Sequence, residues 1–167
     1  MPTDVRLRPA EAGDLAAIAA IYTPEVLEGT ATFELEPPDA AELGVRLAKV
    51  RALGLPWLVA EAGGRIAGYA YAAMHRDRPA YRFTVEDSVY LAPWARGRGI
   101  GRPLLEAVVA ASREAGMRQM VAVIGDSANL GSIGLHRACG FLDVGTLRDV
   151  GFKFGRWLDT VLMQRPL

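Results

Sequence analysis

The hexapeptide Arg96-Gly97-Arg98-Gly99-Ile100-Gly101 follows the apolar run Val89-Tyr90-Leu91 and opens an apolar helical pattern. A strand that passes through a glycine-rich turn into a helix leaves the first helical N–H groups unpaired, with a partial positive charge at that end. Glycines let the main chain approach an anion closely, and the arginines add charge-assisted hydrogen bonds. The chemistry expected at this turn is the binding of a phosphate-bearing ligand. Two familiar phosphate turns do not fit. A dinucleotide fingerprint requires glycine where Arg102 stands, and a P-loop requires Gly-Lys-Ser/Thr where the chain has Gly101-Arg102-Pro103. Taken alone, the segment also admits a lesser reading as a tight turn that needs glycine torsions.

Other reactive residue types are sparse. Cys139 is the single cysteine and His75 and His136 are the two histidines, so no internal disulfide can form and no metal-ligand set is recognisable. The chain has 167 residues, 51% of them hydrophobic, with a formal net charge of zero; this suits one domain, 1–167, with a substantial core. Balanced charge argues against general nucleic-acid binding, and Arg76, Arg78 and Arg82 form only a local cluster. The start Met1-Pro2-Thr3-Asp4 lacks a basic, apolar signal pattern, and no apolar run is long enough to span a bilayer. The expectation is a cytoplasmic protein with neither nucleic-acid nor membrane partners.

The elements that must position the turn follow from periodicity. Val5 and Leu7 alternate with Arg6 and Arg8 as in a strand, and Asp14 is expected to cap a helix carrying Leu15, Ile18, Ala19 and Tyr22. Residues 28–38 read as a loop, after which Asp39 caps a second helix carrying Leu43, Leu47 and Val50, ended by Gly54 and Pro56. The runs at 57–60 and 66–71 flank Gly63-Gly64 as a hairpin, and 83–91 reads as a further strand. A helix over 100–115 buries Leu104, Leu105, Val108 and Val109. The apolar run 120–124 reads as a central strand buried on both faces, which makes a βαβ unit with a parallel pair. A short helix over 129–139 ends at Gly140-Phe141, and strands over 144–152 and 158–164 close an α/β domain with a mixed sheet.

The order strand, Arg-Gly-x-Gly-x-Gly turn, helix, strand, Asn129, short helix and Gly140-Phe141 resembles the GCN5-related N-acetyltransferase superfamily over nearly the whole chain. The segments Thr84-Val85-Glu86-Asp87-Ser88-Val89-Tyr90 and Val150-Gly151-Phe152-Lys153-Phe154-Gly155-Arg156-Trp157-Leu158-Asp159 are similar to those of its phosphinothricin and methionine sulfoximine N-acetyltransferases. The resemblance implies a single-domain fold with a mostly antiparallel sheet, a parallel βαβ unit at an acetyl-coenzyme A site, and helices on both faces. It also implies a homodimer, acetyl-coenzyme A as co-substrate with no metal, and a small amino-acid-like acceptor.

Site roles follow as implications of the same resemblance. Main-chain groups of Val89, Tyr90 and Leu91 bind pantetheine where the strand splays at a bulge, and Leu91 N–H serves as oxyanion donor. Arg96, Gly97, Arg98, Gly99, Ile100 and Gly101 hold the pyrophosphate, with Arg102 at the rim; Asn129 and Ser132 contact the cofactor or cap their helix. Glu86 is the candidate base, its pKa open to elevation by burial, and His136 stands where many members carry a tyrosine that protonates the thiolate. Arg76 and Arg78 could grip an acceptor carboxylate, with Phe33, Asp77, Tyr81, Asp87 and Ser88 around the acceptor and Lys153 near a two-fold interface. Asp87 departs from the small, polar or histidine residues associated with its position. An acetyl-cysteine on Cys139, acetylation of a protein N-terminus, and a non-catalytic coenzyme A-binding module are the competing readings.

Overall fold

Gly63 and Gly64 both take positive φ, 57° and 73°, which closes β2 (Trp57–Ala62) onto β3 (Arg65–Met74) in a two-residue turn. This computed structural model describes residues 4–167; Met1, Pro2 and Thr3 of the signal reading lie outside them. The remaining elements are β1 (Val5–Pro9), α1 (Leu15–Leu27), α2 (Ala40–Ala52), β4 (Thr84–Leu91), α3 (Gly101–Glu114), β5 (Gln119–Gly125), α4 (Leu130–Ala138), β6 (Leu142–Lys153) and β7 (Arg156–Pro166). They form one seven-stranded sheet in the order β1-β2-β3-β4-β5-β7-β6, antiparallel except for the pair β4·β5.

Helices cover both faces, and the strand alternation sorts the side chains between them. Tyr69 and Tyr90 meet Tyr22 of α1 in one aromatic cluster, while Ala70, Ala72 and Val85 lie in the core under α3 and α4. The apolar face expected for α3 is realised: Leu104, Leu105, Val108 and Val109 are buried. Asp39 caps α2 by accepting the Glu42 N–H at 2.8 Å.

Asp14 does not cap α1. It sits at the cap position, but its carboxylate accepts the Glu11 N–H at 2.8 Å and two bonds from Arg8 at 2.7 and 2.8 Å. A forked guanidinium outcompetes a neutral N–H for a carboxylate, and Arg8 holds this carboxyl below its usual range.

The run 120–124 is not buried on both faces either. Met120, Ala122 and Ile124 are buried, but Val123 is 44% exposed. The cause is topological: β4 and β5 pair only from Thr84↔Gln119 to Asp87↔Ala122, and beyond that point the two strands diverge.

Candidate active site

The divergence of β4 from β5 makes a groove of about 490 Å³. Its walls are main chain with unspent hydrogen-bonding capacity. At the two ends of the β3·β4 ladder, Ala92 N–H bonds to Ala67 O and His75 N–H to Thr84 O. Antiparallel alternation therefore turns the N–H groups of Val89 and Leu91 away from β3, toward the place β5 has vacated. On the opposite wall, Asp126 N–H bonds to Asp159 O, so the main chain of Val123 and Gly125 faces the groove in turn. An extended ligand bearing amides fits between such walls as a strand would.

The expected bulge in β4 is not what frees these groups. The β3·β4 register is unbroken from Gly68↔Leu91 to Met74↔Val85; the freedom of Leu91 N–H comes from the early end of the β4·β5 pairing. Leu91 O is occupied, accepting from Arg96 Nε at 3.3 Å.

At the open end, Gly97 and Gly99 adopt φ of 70° and 76° with clear space where a Cβ would stand. That backbone brings the start of α3, with its unpaired first-turn N–H groups, to the groove beside Gly97, Gly99, Ile100, Gly101 and Arg102. Pro103 lies in that first turn, where its missing N–H costs no intrahelical bond. Arg96 is latched to Glu25 of α1, and Arg98 lies outside the groove lining. Asn129 Oδ1 accepts Ser132 N–H at 3.2 Å, so its capping role is realised, and both residues line the groove.

The groove floor holds a buried pair. His136 Nε2 lies 2.8 Å from Asp87 Oδ2, with side-chain exposures of 3% and 1%. His136 Nδ1 lies 2.7 Å from the Ser132 carbonyl, and the Phe141 ring meets the imidazole edge-on at 5.0 Å. Burial alone would push this imidazole down; the hydrogen bond and charge of Asp87, with the Ser132 carbonyl, raise it above its ordinary value instead. Cys139 faces the core next to Arg102 O, and burial pushes its thiol up, an environment that disfavours a nucleophilic thiolate.

Glu86 follows the opposite face. It is half-buried, less enclosed than expected, and its Oε1 bonds His75 Nδ1 at 2.7 Å; Tyr81 packs edge-on against His75. Arg76, Asp77 and Arg78 are exposed on the β3–β4 connection and line a separate cavity of about 400 Å³ with Arg46, Trp57 and Tyr71. The two cavities abut through β3·β4, where Tyr71 pairs with Ser88 of the groove.

Asp87, expected around the acceptor, does not share a face with Glu86: it faces α4 because it succeeds Glu86 in a pleated strand. Lys153 is also turned inward. It is 3% exposed, with Nζ donating to Glu25 O at 3.3 Å and Thr32 O at 2.9 Å, and burial lowers its pKa. It ties the β6–β7 hairpin to the α1–α2 connection, whose Phe33 ring rests on Gly151. Thr30 bonds Asp126 at 2.7 Å, pinning the same connection across the end of β5. The Asp87–His136 pairing and the His75 contact of Glu86 escaped the sequence reading, since they join residues 49 and 11 positions apart.

A parallel strand pair opened above an anion-binding helix start, with proton-exchanging groups on both faces, is the layout of a group-transfer enzyme with an extended phosphorylated donor. Residues 16–141 match the Acetyltransferase (GNAT) family, and the chain belongs to that family. It is 58% identical over 154 residues to a phosphinothricin N-acetyltransferase of Alcaligenes faecalis, covering 92% of this chain and 78% of that one. It is 42% identical over 162 residues to an L-methionine sulfoximine/L-methionine sulfone acetyltransferase of Pseudomonas paraeruginosa, covering 96% and 94%. Among solved structures, a phosphinothricin acetyltransferase from Sinorhizobium meliloti in complex with acetyl-coenzyme A superposes with a TM-score of 0.95 at 50% identity, over 100% of this chain and 89% of that one.

Proposed function

We propose that the protein transfers an acetyl group from acetyl-coenzyme A to the α-amino group of a small amino-acid-like acceptor of the phosphinothricin or methionine sulfoximine type, directly in a ternary complex. The observation that supports this reading is the division of β4: Glu86 lies on one face of the sheet, bonded to His75, and the Asp87–His136 pair on the other, lining the groove where β4 leaves β5.

The groove suits the donor. The α3 start takes the pyrophosphate at the N–H groups of Gly97, Gly99, Ile100, Gly101 and Arg102, and the main chain of Val89, Val123 and Gly125, together with the N–H of Leu91, pairs with the pantetheine amides. Leu91 N–H, aimed into the gap, donates to the negative charge that develops on the thioester oxygen. Glu86 accepts the ammonium proton directly or through water, with His75 fixing its orientation. His136 supplies a proton to the departing thiolate. Arg76 and Arg78 hold the acceptor carboxylate, and Phe33 and Tyr81 border its side chain.

Assembly as a homodimer belongs to the same reading. β6 is an edge strand with Val144, Leu147, Val150 and Phe152 exposed, and Phe154 and Trp157 extend the apolar patch beyond it. Large exposed apolar strands of this kind are ordinarily covered by a partner. No helix among the described residues is long and apolar enough to cross a membrane. The test is release of free coenzyme A from acetyl-coenzyme A on addition of phosphinothricin, methionine sulfoximine or methionine sulfone. Release with peptides alone supports the protein N-terminal reading and removes the amino-acid acceptor.

A further inference from the structure

We propose that Asp87 is a positioning residue that holds His136 as an imidazolium, and that the proton between Nε2 and Oδ2 is the one the departing thiolate takes. The second half rests on the acetyl-transfer reading above; the first half does not.

The argument begins at Nδ1, which lies 2.7 Å from the Ser132 carbonyl. A carbonyl oxygen can only accept, so Nδ1 carries hydrogen. A neutral imidazole protonated there would turn its Nε2 lone pair toward a carboxylate oxygen 2.8 Å away, setting acceptor against acceptor inside the protein. One proton must therefore lie between Nε2 and Oδ2. The other carboxylate oxygen, Oδ1, is buried with no hydrogen-bond partner, so little besides His136 satisfies this side chain.

No other charge competes for the imidazole among the described residues. On α4 itself, Arg137 turns outward to Asp143 at 3.0 Å. On α3, Arg102 faces Glu106 at 3.6 Å; on β7, Arg165 bonds the Cys139 carbonyl; after α4, the neutral ring of Phe141 covers the imidazole. From β4 comes Asp87 alone, and its charge outweighs the burial that would otherwise strip the proton. Both members of the pair line the groove beside Val89 and Leu135, so the proton is stored in its wall.

The proton balance closes. The acceptor enters as an ammonium and loses one proton before attack and a second after the C–N bond forms. The C–S bond breaks with its electron pair left on sulfur, which takes the Nε2 proton. His136 is then neutral, with its lone pair opposed to Asp87, and one of the two protons shed by the acceptor restores it through solvent. One proton is released per turnover.

The test uses the fact that the chain contains only two histidines. Nitrogen-15 imidazole spectra of the intact protein are titrated, with His75→Gln assigning the signals. In the wild type, His136 is expected to keep both nitrogens protonated above the ordinary imidazole range; in Asp87→Asn it is expected to lose that proton at lower pH than the wild type does. Asp87→Ser, which also removes the charge, is expected to behave likewise. The high-pH limb of kcat moves down by one pH unit or more in either variant, while acetyl-coenzyme A affinity stays within about twofold. A neutral His136 in the wild type at pH 7 overturns the proposal without any variant. The expected titrations together with an unmoved kcat limb overturn the transfer half. A protein that shows both titrations but acetylates no amine overturns the functional reading and leaves Asp87's hold on the proton standing.

Discussion

Glu86 and Asp87 are neighbours in β4 whose carboxylates lie on opposite faces of the sheet, one bonded to His75 at 2.7 Å and the other to His136 at 2.8 Å. Strand pleating alone produces this division. In the proposed reaction Glu86 would serve the amine and the Asp87–His136 pair the departing thiolate, with one strand's main chain between them.

Glu86→Gln removes the proposed base, a residue that does not line the groove. Turnover is expected to fall by about 10²-fold or more, with acetyl-coenzyme A dissociation constants unchanged by calorimetry. An equal loss in donor affinity would show that Glu86 supports the fold instead.

The raised pKa of His136 makes a prediction for stability. In the unfolded chain the imidazole titrates near 6.5. A group that holds its proton more tightly when folded stabilises fully below its unfolded pKa, and that contribution fades as pH rises through the folded value. The wild type should lose melting temperature on this account as pH rises above about 6.5. In Asp87→Asn, burial without the counter-charge lowers the folded value, so stability should instead gain as pH approaches 6.5 from below. Thermal melts across pH, compared between the two proteins, measure the opposite slopes.

Arg76→Ala and Arg78→Ala should each raise the acceptor KM by about tenfold or more, as expected on losing a charge-assisted carboxylate contact of about 1.5–3 kcal/mol. The donor KM should not move. An amine acceptor that lacks a carboxylate should be insensitive to either change.

Trp157 is 63% exposed in the apolar patch along β6 and β7. Trp157→Lys and Val150→Asp are expected to shift the protein from dimer to monomer in sedimentation experiments, because each sets an unpaired charge in the contact. A wild-type protein that sediments as a monomer at high concentration would contradict the assembly.

The parts of the fold that local chemistry determines were legible in the residues. The Gly63-Gly64 turn, the Asp39 cap and the apolar stripe of α3 all depend on neighbours a few positions away. The departures arose where distant residues compete. Asp14 was a sound cap until the Arg8 guanidinium met it, and Val123 carried a core residue's chemistry until the strand beside it diverged. At the site, the glycine turn was readable from spacing and Asn129 from the resemblance, whereas the Asp87–His136 pair needed α4 folded over β4 to become visible. The same is true of Lys153: its place near a two-fold interface was an implication of the resemblance, whereas the carbonyls that hold it inward come from Glu25 in α1 and Thr32 in the α1–α2 connection, far away in sequence.

Steady-state thiol release with a panel of free amino-acid-like amines and peptides tests the central claim most directly. Phosphinothricin, methionine sulfoximine or methionine sulfone should accelerate release of coenzyme A far above the rate in water, with the product carrying acetyl on the α-nitrogen by mass spectrometry. Release that no free amine accelerates, or that only peptides accelerate, would contradict it.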